Sequence, residues 1–117
     1  MEESHVLWCV DDSRLAQLTP QGARDLMVEC FMVAQGEVFR RAALSLDMMA
    51  DSETMRSQVE NSVRLKFKEL GHDYDQPTIA ALREVMEALA AQARIWGTPA
   101  DVIEHHLREM HRVLDKV

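Results

Sequence analysis

Apolar residues return every three or four positions along most of this chain, the period that puts them on one face of an α-helix. Met55, Val59, Val63, Phe67 and Leu70 form one such stripe, and Leu82, Val85, Met86, Leu89, Ala93 and Trp96 form another. Ile103, Leu107, Met110 and Leu114 form a third near the end of the chain. The punctuation between the stripes fits helices as well. Thr19-Pro20 supplies an N-cap followed by proline at the first helical position, and Asp51 or Ser52 is placed to cap a second helix that Gly71 ends. Asp75 stands where a cap belongs ahead of Pro77, Gly97 closes the third helix, and Thr98-Pro99 opens the fourth, with Asp101 placed to complete a capping box. The pattern predicts helices over 20–48, 52–70, 77–96 and 99–115. Phe31, Val63, Phe67, Leu82, Leu89, Ile103 and Leu107 are expected in one core.

Four helices with short connectors predict an all-α fold, an antiparallel four-helix bundle over residues 19–117 preceded by an N-terminal arm over residues 1–18. The arm carries a short apolar run, Val6 to Val10, which has no strand to pair with in such a domain.

The first helix departs from the pattern of the others. Met27, Cys30, Phe31, Ala34, Val38 and Met48 make one apolar face, while Val28, Met32, Phe39 and Leu46 make a second about 100° away. A helix that is apolar nearly all round is central in its domain or shared between chains. A central place is hard to arrange with only three other helices, so the second stripe is read as the contact surface of a homodimer. The alternative is that Val6, Leu7, Trp8 and Val10 of the arm fold back over it. Glu37 and Arg41 interrupt the main face at i,i+4 spacing and are expected to form a partly buried pair, while Gly36 is a possible bend.

Composition narrows the function without naming it. The chain of 117 residues is 47% apolar and 28% charged, with four glycines and three prolines, as in a globular domain that needs neither disulfide nor metal to fold. A net charge of −7 argues against binding nucleic acid or an anionic membrane through the overall field. The two cysteines, Cys9 and Cys30, form no spaced metal motif and fit a reducing cytoplasm as free thiols. The N-terminal MEESHVLWCV reads as neither signal peptide nor membrane span.

Candidate chemistry is sparse. The stretch IEHHLREMH places His105, His106 and His111 close in sequence, but helical geometry sends His106 and His111 about 140° apart and His105 and His111 about 120° apart. Only His105 with Glu109 has the i,i+4 spacing of a helical metal pair, and an outward-facing contact is the simpler reading. The loop His72-Asp73-Tyr74-Asp75 gathers an imidazole, two carboxylates and a phenol, giving His72, Asp73 and Asp75 as the other weak candidates for a metal or ligand site. There is no nucleophile elbow and no glycine-rich phosphate loop. The expectation is a cytoplasmic, self-associating helical protein that acts by binding rather than by catalysis, with no cofactor. Its alternative is a small metal- or ligand-binding helical enzyme using the His72–Asp75 loop or the His105/Glu109 pair.

Overall fold

The structure, a computed structural model, describes residues 8–41 and 52–117. An extended segment leads into a short 3-10 turn at Asp12–Leu15, followed by α1 (Pro20–Arg41), α2 (Ser52–Glu69), α3 (Ile79–Ile95) and α4 (Ala100–Asp115). The four helices form an antiparallel bundle, and no strand occurs among the described residues. Continuation of the first helix from 42 to 48, the proposed contact Leu46 and the proposed cap Asp51 lie outside the described residues.

Local signals set most helix ends. The Thr19 hydroxyl accepts from the Gly22 N–H at 3.0 Å, which satisfies one orphan donor at the start of α1. Gly71 and Gly97, at φ of +79° and +90°, take the left-handed conformation that lets the chain turn away from α2 and α3. Two expected caps are displaced. Thr78 rather than Asp75 caps α3, its hydroxyl accepting from the Ala81 N–H at 3.1 Å, so the helix begins two residues later than Pro77. Pro99, which has no side-chain acceptor, occupies the N-cap of α4, and the expected capping box does not form: the Thr98 N–H donates to the Ala93 carbonyl at 3.0 Å and the Asp101 carboxylate is bonded by Arg41 of α1.

α1 is the central element. It packs on α2, α3 and α4, and its first half shares a buried cluster with the arm. Its described part, about 33 Å, is one to two turns longer than α2, α3 and α4 at about 27, 26 and 24 Å. One residue of the second apolar stripe is housed within the chain, contrary to expectation: Val28, only 2% exposed, is buried in the same cluster as Trp8, Val10 and Leu15 of the arm. Val28 is therefore not available to a contact between chains, whereas Met32 and Phe39 are half-buried.

Phe67, Met27, Leu82, Val63, Val85 and Met110 are fully buried at the centre of the bundle. Phe31, Leu89 and Leu107, expected beside them, are half-buried and pack on the edge of this core, while Ile103 is buried at the wall of a groove. Leu82→Ala is accordingly expected to cost about 2–5 kcal/mol in urea denaturation, as buried leucine deletions do, and Leu89→Ala at least about 1 kcal/mol less, because water can enter the space vacated at the groove wall. Equal losses would place both side chains in the same environment.

Candidate binding groove and histidine clamp

Two features of the bundle are candidates for function. The first is a groove of about 480 Å³ enclosed by the second half of α1, α2, the end of α3 and the start of α4. Phe31, Val38, Phe39, Val59, Leu89 and Leu107 give it apolar walls, and Gln35, Gln58, Ser62 and Gln92 place a few polar groups among them. A cavity of this volume and character is what small ligands or anchoring side chains occupy. Trp96 lines it and is 74% exposed, with Ile95 beside it in sequence at 83%. The apolar period places Trp96 on the buried stripe of α3, but the helix ends at Ile95 and the following turn carries the indole out to the rim.

The second feature resolves the histidine-rich stretch. His106, 5% exposed, accepts the Trp8 backbone N–H at Nε2 (3.2 Å) and donates from Nδ1 to the Val102 carbonyl (2.7 Å). A carbonyl can only accept and an N–H can only donate, so the imidazole is fixed as the neutral Nδ1–H tautomer. Burial pushes its pKa below the ordinary histidine value. His105 donates from Nε2 to the Trp8 carbonyl at 2.7 Å. Two turns of helix complete the set: Glu109 accepts from the Val10 N–H at 3.2 Å, and Arg112 donates to the Val10 carbonyl and to Asp12. The side chains of α4 thus take the place of a neighbouring β-strand, satisfying both backbone groups of alternate residues in an extended segment that has no sheet to join.

Side chains lock the same segment from α1. The Trp8 indole N–H donates to Glu29 at 2.8 Å, and Arg14 holds that carboxylate through two bonds of 3.0 and 3.1 Å. The Arg14 guanidinium keeps Glu29 charged by lowering its pKa. Trp8, Val10 and Leu15 then fill the cleft between α1 and α4.

The expected sites are dispersed. His105 and Glu109 both face the arm rather than solvent, and each is engaged by it. His72 pairs with Glu84, and Asp73 accepts from the Asp75 and Gln76 N–H groups at 2.9 and 3.3 Å, which makes it a turn-former. Asp75 is exposed, 3.7 Å from Arg64. Among the described residues no three His, Cys, Asp or Glu side chains are gathered as a metal would require. Of the proposed contact stripe, Val28 is buried, Met32 and Phe39 are half-buried, and Phe39 lines the groove.

A buried charge lies between these features. Glu37 is 0% exposed, bonded to Arg40 (2.9 Å) and to Arg41 (2.7 Å), and Arg41 reaches on to both oxygens of Asp101 at 2.7 and 2.8 Å. The bonds from Arg40, working against burial and joined by those from Arg41, bring the Glu37 pKa down to about 2. Spacing predicts the Glu37–Arg41 pair; Arg40 and Asp101, the other half of the network, are additions of the tertiary structure. Cys30 is buried and burial pushes its thiol pKa up, which makes it inert filling, whereas Cys9 is exposed.

Among the described residues no helix is long and apolar enough to cross a membrane. Comparison with protein-family models, with curated proteins and with solved structures finds no match to the chain.

Proposed function

We propose that the chain is a self-associating binding module and that two copies meet through the groove. The observation that carries this reading is Trp96, a largely exposed indole standing on the rim of an apolar cavity. Contiguous apolar surface of this kind is seldom left in water, and tryptophan is the side chain most often found at the energetic centre of interfaces. A two-fold arrangement lets each copy seat its Trp96 in the other's groove, so that one surface supplies both the anchor and its socket. Leu65, exposed on α2, and Phe39 lie on the same lining and extend the contact. The earlier stripe contributes Phe39 and the half-buried Met32 to this reading, not Val28.

A small apolar ligand is the second reading, favoured by the groove's volume alone. Catalysis draws no support from the groove, since neither the His72–Asp75 loop nor the His105/Glu109 pair lines it.

In light scattering at high micromolar concentration the chain is expected at twice its 13.4 kDa mass. Trp96→Glu is expected to give a monomer with unchanged helical circular dichroism, because the side chain is exposed in the single chain. A wild-type protein that is monomeric there ends the dimer reading. Native mass spectrometry then decides the other occupant, which would appear as an added mass on the single chain.

A further inference from the structure

We propose that the N-terminal arm is an acid-released strap, in which protonation of His106 at Nε2 removes the acceptor for the Trp8 N–H and frees residues 8–15 from the cleft between α1 and α4. Among the described residues His106 is the one anchor whose hydrogen-bonding role reverses on protonation. In its neutral form it receives the Trp8 N–H at Nε2 and gives its own proton to the Val102 carbonyl. An imidazolium is a donor at both nitrogens, so the same 3.2 Å contact would set two N–H groups against each other in a buried place.

The remaining anchors keep their hydrogen-bonding roles over the same range. His105 donates from Nε2 to the Trp8 carbonyl whether neutral or charged. Burial opposes ionisation of Glu109, but the Arg112 guanidinium and the Val10 N–H outweigh it and keep the carboxyl below its ordinary pKa. Glu29 is likewise held low by Arg14 and by the Trp8 indole. Both therefore stay charged at a pH where histidine titrates.

The charges facing His106 come from several elements. On α4, His105 stacks edge-on at 5.2 Å and opposes a second positive charge, while Glu109 favours it. Glu37 on α1 favours it as well, but is itself neutralised by Arg40 and Arg41. Across the groove α2 presents Lys66 bonded to Glu69, and α3 presents only the neutral Gln92. The arm brings no charged side chain between Trp8 and Val10. Desolvation is the largest influence, and it holds the docked imidazole neutral.

The sign follows from linkage. Burial lowers the pKa of His106 below its ordinary value, and release of the arm would open the imidazole to water, so the released form would bind the proton more readily than the docked one. Docking is fully favoured above the ordinary value of about 6.5 and weakens up to tenfold per pH unit below it, until the docked pKa is reached.

The test is fluorine NMR of protein labelled with 5-fluorotryptophan, since Trp8 and Trp96 are the two tryptophans and give one signal each. Between about pH 8 and about pH 5 the Trp8 signal is expected to move to a solvent-exposed position while helical circular dichroism persists. The imidazole nitrogens of His106 should report the Nδ1–H tautomer at the upper end and protonate with the same midpoint. His106→Gln keeps an acceptor near Trp8 and cannot be charged, so its Trp8 signal should stay in place. The proposal is overturned by a Trp8 signal that does not move, by loss of helix at the same midpoint, or by an unchanged transition in His106→Gln. If that variant does not fold, the wild-type midpoints decide alone, and a His106 that stays neutral while Trp8 moves rejects the switch.

Discussion

Replacing Phe67 with alanine is expected to cost the fold about 3–5 kcal/mol, the largest loss at any one core position. Phe67 is completely buried where α2 faces the loop to α3, and its ring meets that of Tyr74 edge-on, with centroids 5.4 Å apart and planes at 84°. Tyr74 in turn lies between two guanidinium groups, Arg24 at 4.6 Å and Arg64 at 4.1 Å from its centroid, and Arg24 also donates to its backbone carbonyl at 2.7 Å. Truncating Phe67 removes the ring against which this stack is built and leaves a cavity that α2 cannot close without moving. The urea midpoint should fall without a change in slope, and the melting temperature by roughly 10–20 °C. Lys68→Ala, the next residue along and exposed, should change stability by no more than about 0.5 kcal/mol. A loss below about 1 kcal/mol at Phe67 would mean that the loop carrying Tyr74 is not fixed by this contact.

The features that periodicity and caps reveal in the sequence are those made by residues close along the chain. Thr19, Gly71 and Gly97 act on backbone groups one to three residues away, so the helix ends they set are readable without tertiary information. Phe67 and Leu82 are readable because burial follows the period of the helix that carries them. Trp96 fails by the same logic, for the period holds only while the helix continues, and α3 stops one residue earlier. The histidine clamp was legible only in part. Helical angles separate His105, His106 and His111, but the partner of the first two is a segment 97 and 98 residues away, and nothing local announces it. His111 goes elsewhere, accepting from Arg83 at 2.9 Å and facing Glu87 at 3.2 Å. The central position of α1 escaped for a related reason: counting helices omits an arm of extended chain that covers one side of it.

Glu37→Gln is expected to be the most damaging single change of charge, and its cost should disappear in acid. The carboxylate is fully buried, holds two arginines of α1, and through Arg41 ties the end of that helix to Asp101 at the start of α4. Its pKa falls from 4.5 to about 2 on folding. That difference corresponds to about 3 kcal/mol in full, and to about 2 kcal/mol once water reaching the half-exposed arginines is allowed for. A group whose folded pKa is depressed stabilises the fold above its unfolded value and loses that contribution as pH falls through the folded one. The Glu37 contribution is therefore whole above about pH 4.5 and drains away toward about pH 2. Urea denaturation of wild type and Glu37→Gln at neutral pH should show a gap of about 2 kcal/mol, and the gap should close as the pH is lowered through that window. His106 acts earlier, since its depressed pKa makes the native state lose stability below about pH 6.5; because the Glu37 charge favours the imidazolium, that loss is somewhat larger in Glu37→Gln and widens the gap there rather than closing it. The two groups are thus separable by sign: a gap that already narrows between about pH 6.5 and 5 would contradict the depressed pKa of Glu37, and one that stays constant to about pH 2 would show that the Glu37 network contributes no charge-dependent stability.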